Sequence, residues 1–268
     1  MPALSARLLA FAGFFVVTAS LIPVRAEAQD GYREPRNADV DLAGARAARI
    51  EAGAGSLRIE GRQGLTQVRV RGTARSSHRD RLDDIKLIAE RRGGEVFIKV
   101  DIPSENRSWT SFGNSFMALD LVIEVPMNLA LDVDDGSGEA HFINTGKLDL
   151  EDGSGEIEIR GARGDVSIND GSGEIVIRGV EGRVRINDGS GEIDASDITG
   201  DFIVEEDGSG DINVVGVGGT LTIDDDGSGS IDVGRVAGDF VVRSDGGGSI
   251  RYDTVKGSVR IPEKKRRG

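Results

Sequence analysis

The chain has 268 residues, with 39 glycines, no cysteine, 38% hydrophobic residues, 4% aromatic residues and a formal net charge of −13. The hydrophobic share excludes a disordered chain, and the lack of a Gly-X-Y period excludes collagen. The acidic charge argues against nucleic acid or an anionic membrane surface as a partner, because both require clustered lysine and arginine.

The N-terminal segment has the features of a secretory signal peptide. Arg7 supplies a positive charge, and an apolar stretch runs from Leu8 to Ile22. Ala26–Ala28 has the small-x-small pattern of a cleavage site, and the apolar stretch is shorter than the ~20 residues of a membrane span. We therefore predict a signal peptide at 1–28 and a mature chain from Gln29 without a membrane span, exported to the periplasm or the cell surface. An uncleaved anchor helix is the alternative.

The next part of the chain is β-rich but lacks a regular repeat. We expect residues 29–46 to be a flexible mature N-terminus and residues 47–130 to begin the fold and cap it. Within the second range, Leu57 and Ile59 follow a degenerate glycine corner and are predicted to face the core. Ile85–Val100 alternates on both sides of two glycines, which predicts a hairpin.

A polar loop interrupts this region between Pro103 and Phe116. It contains the only tryptophan of the chain, Trp109. Trp109 is the candidate contact for a protein partner in the alternative functional interpretation given below.

A phrase close to DGSGE then occurs seven times at nearly constant spacing. The copies begin at Asp135, Asp152, Asp170, Asp188, Asp207, Asp226 and Asp245. Short repeats of this regularity are typical of a solenoid, in which each repeat is one coil. In the third copy the alternation predicts two short strands with four inward residues, Ile175, Ile177, Val184 and Ile186.

These repeats predict an all-β fold, a single-stranded β-helix with coils of 17–19 residues over 131–261. Its hand is predicted to be right, since parallel crossovers favour that hand. A left-handed hexapeptide helix fits poorly, because the aliphatic residues lie at offsets 0, 2, 5, 9 and 11 from Ile175 and not at 0, 6 and 12. The basic tail, 262–268, is predicted to block end-to-end growth of the solenoid.

The repeated aspartates have two interpretations. As corner residues, they would accept N–H bonds from a turn in which the two glycines adopt positive φ. As a ladder across coils about 4.8 Å apart, they would bind Ca²⁺ weakly. The candidate metal ligands are Asp152, Asp170, Asp188, Asp207 and Asp226. We favour the corner interpretation, because the place where a calcium β-roll carries its aspartate holds an inward isoleucine here, and we expect no cofactor.

The sequence also predicts that the protein is not an enzyme. Its two histidines, His78 and His141, are far apart in the chain, and no cysteine accompanies them. A polysaccharide-active β-helix is a minor alternative, although the coils are short and poor in aromatic residues.

A family resemblance rests on the stretch "LVIEVPMNLALDVDDGSGE", from Leu121 to Glu139. A strand ending in Val-Pro leads through a short turn to an aliphatic strand and a G-S-G-E corner. Together with the signal peptide and the repeats, this pattern resembles a bacterial exported family of unknown function labelled "putative adhesin" or "β-strand repeat". The resemblance covers about residues 47–261. The resemblance implies a β-helix exported to the envelope and brings no catalytic residues.

The functional prediction is a non-enzymatic envelope or surface scaffold, an adhesin-like module whose partner is an envelope protein or a polysaccharide. The alternative is a periplasmic accessory protein in envelope-stress sensing. That protein would bind a protein partner through one end of the solenoid or through the loop around Trp109.

Overall fold

The computed structural model describes residues 31–103 and 116–262. The signal peptide, Trp109 and the basic residues of the tail lie outside the described residues. Within the described part, 22 strands form two eleven-stranded sheets, which we call sheet A and sheet B. No helix in this part is long and apolar enough to cross a membrane.

The repeats form the regular part of a β-solenoid, which confirms the predicted fold class. It has about seven turns with a spacing of about 19 residues, and each turn places one strand in each sheet. In this regular part, the strands that belong to sheet B are β8 (Ala130–Ser137), β10 (Leu148–Asp152), β12 (Val166–Asp170), β14 (Val184–Asp188), β16 (Phe202–Asp207), β18 (Leu221–Asp226), β20 (Phe240–Asp245) and β22 (Val259–Arg260). Those in sheet A are β9 (Ala140–Ile143), β11 (Ile157–Ala162), β13 (Ile175–Val180), β15 (Ile193–Ile198), β17 (Ile212–Val217), β19 (Ile231–Val236) and β21 (Ile250–Val255). The right-handed sense of the coil stays a prediction.

Aliphatic rows fill the space between the two sheets. Ile175, Ile177, Val184 and Ile186 are fully buried, as predicted from the alternation. Parallel pairing places Ile177 beside Ile159 of one neighbouring coil and Ala195 of the other. Each coil is hydrogen-bonded to the next, so its backbone groups are satisfied only in the stack.

A bulge accommodates an added residue in the middle of the stack. The pairing between β14 and β16 shifts between Ile186 and Asn187. The extra residue in β16 is Glu205, which is exposed. This bulge returns Asp207 to register with Asp188, so the aspartate keeps its position in the coil although the repeat has become longer.

The N-terminal region adds two further coils and a set of antiparallel strands. Its elements are β1 (Tyr32–Asp41), β2 (Ala47–Ala54), β3 (Leu57–Arg62), β4 (Gln67–Ser76), a 3₁₀ helix (Arg79–Asp84), β5 (Lys86–Arg92), β6 (Glu95–Asp101) and β7 (Met117–Pro126). The coil formed by β2 and β3 lies between the coil of β8 and β9 and the coil of β6 and β7. The stack therefore does not follow chain order at this end.

Antiparallel strands cover the outer coil of this end. β5 pairs with β6 as the predicted hairpin, β4 pairs with β7, and β1 pairs with β4. Leu57 and Ile59 are buried, as expected. The prediction of a flexible segment at 29–46 is wrong for β1, because the whole of this strand pairs with β4. Polar residues fill β1, and an edge strand gains its stability from backbone pairing more than from core packing.

Candidate functional site, a buried aspartate ladder

The repeated aspartates are inward residues of sheet B. In β12 the alternation continues through Val166, Ile168 and Asp170, and all three are buried. Parallel pairing then sets each aspartate beside that of the next coil. The row, which we call the aspartate ladder, consists of Asp135, Asp152, Asp170, Asp188, Asp207, Asp226 and Asp245.

The aspartate ladder is almost completely buried. The first six aspartates are 0–7% exposed, and only Asp245, in the last complete coil, is partly exposed. The corner interpretation treated these carboxylates as turn residues and did not assign them to the buried face of the strand. The signal that could have corrected this was the unbroken period of two, since Val166, Ile168 and Asp170 share one face of a strand.

The turn satisfies only part of the ladder. Ser172 N–H donates to Asp170 Oδ1 at 3.1 Å, and Ser190 N–H donates to Asp188 Oδ1 at 3.1 Å. The corner interpretation therefore holds for one oxygen of these two residues. The buried ladder oxygens without a hydrogen-bond partner are both carboxyl oxygens of Asp135, Asp152, Asp207 and Asp226, and Oδ2 of Asp170 and Asp188.

Burial and mutual repulsion raise the pKa values of these carboxyls. Desolvation is the largest cause for Asp152, and the charges of Asp135 and Asp170 add to it, so that its pKa is raised to about 7. Desolvation with the charges of Asp188 and Asp226 raises the pKa of Asp207 to about 7.

The remaining members of the ladder follow the same pattern. Desolvation raises the pKa of Asp135, Asp188 and Asp226 to about 6 in each case, and it also raises the pKa of Asp170. Burial disfavours the charged form of a carboxyl group, and like charges on adjacent coils disfavour it further.

The candidate Ca²⁺ ligands are brought into one row, but the row fits Ca²⁺ poorly. Ca²⁺ requires six to eight oxygen ligands around one point. Successive coils lie about 4.8 Å apart, so an ion between two coils would contact two carboxyl groups at most. In the described ranges, no three acidic, histidine or cysteine side chains surround one point in a way that could hold a metal ion.

The other residues singled out from the sequence do not assemble into a site. His141 Nδ1 lies 3.2 Å from Glu158 Oε2, and its Nε2 lies 3.6 Å from Glu139 Oε2, on the outer side of sheet A. His78 lies elsewhere, directly before the 3₁₀ helix. Trp109 lies outside the described residues, so its role as a partner contact stays a prediction.

The outer faces of the sheets carry ion pairs between coils. Arg49 Nη1 lies 3.0 Å from Asp132 Oδ2 on the outer side of sheet B, and Arg251 Nε lies 2.7 Å from Asp232 Oδ1 on the outer side of sheet A. Similar pairs connect further coils of sheet B, namely Arg185 with Glu205 and Arg243 with Asp224. Each pair is exposed and contributes little stability, but it fixes the position of two long side chains.

One shallow notch lies on the outer side of sheet A near the last coils. Gly234 occupies a slot that holds Val215 in the preceding coil and Asp253 in the following one. The missing side chain leaves an open notch of about 340 Å³, also lined by Asp232 and Arg251.

Several solved structures are similar to this chain. A "putative cell adhesion protein" from Clostridium sporogenes is 13% identical with a TM-score of 0.33, and the match covers 86% of this chain and 100% of that one. A "putative adhesin" from Bacteroides fragilis is 12% identical with a TM-score of 0.45, over 85% and 96% of the two chains. A "putative lipid binding protein" from Parabacteroides distasonis is 17% identical with a TM-score of 0.44, over 85% and 97%.

The word adhesin, which occurs in the names of some of these structures, is also the label of the family that the sequence resembles. No family model matches the chain, and no curated protein matches its sequence.

Proposed function

We propose that this protein is an exported, non-enzymatic β-solenoid that acts as an adhesin-like scaffold in the envelope or at the cell surface. The observation that supports the proposal is the stack itself. Eleven strands in each sheet, at about 4.8 Å per strand, make a rod roughly 50 Å long. Most coils carry charged or polar side chains on the outer faces, for example Arg160 and Arg178 on sheet A and Arg185 and Arg243 on sheet B.

Such a surface suits an extended ligand better than a small molecule. Arg185, Arg243 and Arg251 each bond to an acidic side chain of a neighbouring coil, so their positions are restrained before binding. A polymer with repeated polar groups can contact several coils at once, and weak contacts then add up to useful affinity. We therefore propose that the partner is an envelope polysaccharide or an elongated envelope protein.

A binding experiment tests this proposal. The full chain should bind to isolated envelope material, and treatment of that material with protease or with glycan-degrading enzymes should show which component is recognised. The double variant Arg185→Glu and Arg243→Glu reverses two restrained charges on sheet B, and we expect at least tenfold weaker binding. The matched variant Arg160→Glu and Arg178→Glu makes the same change in charge on sheet A and should weaken binding to the envelope material less. Release of reducing ends from the polysaccharide would contradict the non-enzymatic assignment.

Export is tested separately. If the segment 1–28 is a signal peptide, the protein recovered from the bacterium should begin at Gln29, and N-terminal sequencing would show this. Cell fractionation should find it in the periplasm or in surface material. Recovery from the cytosol with Met1 still present would contradict the proposed location.

A further inference from the structure

Within the described residues, no cation balances the charge of the aspartate ladder. The charges that act on it most strongly are themselves aspartates, with Asp134 beside its first member and Asp225 and Asp245 beside its last buried one. The inward residues next to a ladder carboxyl along one coil are aliphatic, such as Ile168 before Asp170 and Ile175 after the corner. Across the core, the buried residues of the sheet A strands β11, β13, β15 and β17 are aliphatic or alanine.

A row of ionised carboxylates in this environment would be strongly destabilising. A buried charge without a partner loses its hydration and gains nothing in return. Neighbouring carboxylates about 4.8 Å apart would in addition repel each other. Where no turn N–H group reaches a carboxyl oxygen, a bound cation or a bound proton would remove this penalty, and two carboxyl groups of the row supply fewer oxygens than Ca²⁺ requires.

We propose that the aspartate ladder binds protons and not a metal ion. In this proposal, Asp152 and Asp207 are held as carboxylic acids up to near-neutral pH, and each donates an O–H···O hydrogen bond to a neighbouring aspartate of the ladder. The solenoid is consequently more stable in mildly acidic than in mildly alkaline solution.

The choice of Asp152 and Asp207 as the acids follows from the hydrogen bonds along the row. Asp170, beside Asp152, and Asp188, beside Asp207, each accept a turn N–H bond, which favours their carboxylate form. Neither carboxyl oxygen of Asp152 or of Asp207 has a hydrogen-bond partner, so burial disfavours the charged form of these two residues more strongly. Each donor has an aspartate on both sides, so neutralising it removes two repulsions at once.

The direction of the pH effect follows from proton linkage. The folded protein binds protons at the ladder with pKa values raised above the ordinary 3.8 to about 6 or 7. The unfolded chain releases these protons near pH 4. The stabilisation is therefore fully present below about pH 4 and is lost as the pH rises through 6 and 7.

The first experiment measures the melting temperature of the full chain between pH 5 and pH 8. Surface carboxylates such as Asp232 and Glu51 have lowered pKa values because of Arg251 and Lys99, so they stay ionised over this range. We expect a melting temperature about 10 °C higher at pH 5 than at pH 8. Infrared spectra of the folded protein near pH 6.5 should show the C=O band of buried protonated carboxyls, and unfolding should remove it.

Isosteric variants then assign the effect to the ladder. The double variant Asp152→Asn and Asp207→Asn replaces the two proposed acids by neutral amides that can still donate a hydrogen bond. We expect the melting temperature of this variant at pH 8 to rise by several degrees above that of the parent protein. The difference in melting temperature between pH 5 and pH 8 should fall by about half, and the infrared band should weaken. The control Asp149→Asn and Asp194→Asn makes the same change in net charge on the outer faces and should leave the pH difference and the infrared band unchanged.

Three results would overturn the proposal. One is a parent protein whose melting temperature falls from pH 8 to pH 5. Another is an Asp152→Asn and Asp207→Asn variant that keeps the full pH difference and the full infrared band. The third is a melting temperature at pH 8 that rises in millimolar CaCl₂ but not in NaCl of equal ionic strength. That result would show that the ladder binds a cation. A failure to bind envelope material would contradict only the proposed function, because none of these measurements depends on a partner.

Discussion

Replacement of Ile177 by aspartate is expected to prevent the solenoid from folding. Ile177 is fully buried in β13, and parallel pairing places it beside Ile159 of one neighbouring coil and Ala195 of the other. A carboxylate at position 177 would have no turn N–H group to donate a hydrogen bond to it and no neighbouring carboxyl group with which to share a proton. An unpaired buried charge of this kind reduces the free energy of unfolding by about 4 kcal/mol or more. Far-UV circular dichroism and urea unfolding of the full chain would measure the loss.

The matched control introduces the same residue one position later. Arg178 is exposed, and its Nη2 lies 3.9 Å from Asp194 Oδ2, which is a weak ion pair. Arg178→Asp should therefore change the free energy of unfolding by less than about 1 kcal/mol. Ile177→Val, which removes one methylene group, should cost about 1 kcal/mol. Equal and mild effects of Ile177→Asp and Arg178→Asp would show that the inward assignment of the strand is wrong.

Replacement of Gly191 by alanine is expected to have the second largest effect. Gly191 is the second glycine of its corner, and its φ of +149° is a conformation that side chains disfavour. A Cβ atom at this position would lie 1.6 Å from the carbonyl oxygen of Gly173 in the preceding coil. Both the backbone strain and the clash must be relieved by moving the coils apart, so we expect a loss of about 3 kcal/mol or more in the free energy of unfolding.

A glycine outside the stacked corners provides the control. Gly94 has an ordinary φ, and a Cβ atom added there would meet no other atom within 4 Å. Gly94→Ala in the hairpin should leave the free energy of unfolding within about 0.5 kcal/mol of the parent value. Urea unfolding of both variants measures the difference. A Gly191→Ala variant as stable as Gly94→Ala would mean that the coils are not in contact at this corner.

The regular part of the fold could be predicted from the sequence, for a local reason. A strand shows its buried face by a period of two, and a solenoid repeats the same face in every coil. Ile175, Ile177, Val184 and Ile186 could therefore be assigned to the core without knowledge of their neighbours. Leu57 and Ile59 could be assigned in the same way, because their corner resembles the regular ones.

The arrangement of the N-terminal coils could not be predicted in this way. The coil of β2 and β3 stacks on β8 and β9, and the later strands β6 and β7 stack on its other side. Asp132, for example, pairs across the sheet with Arg49, a residue 83 positions earlier in the chain. Contacts over such separations leave no local period, and β1 carries almost no apolar pattern because its partner is the backbone of β4.

The sequence by itself determined that the chain forms a stack of short, nearly uniform coils, where each coil turns, and which aliphatic residues fill it. Only the tertiary structure decided where the repeated aspartates point. An aspartate before two glycines favours a surface turn on local grounds, because the carboxylate can accept N–H bonds there. Whether it instead continues the buried face depends on the pairing of the strand through that residue with the coils above and below, as Asp170 pairs with Asp152 and Asp188. That pairing is a property of the stack, and it converts seven separate corners into one buried row of carboxyl groups.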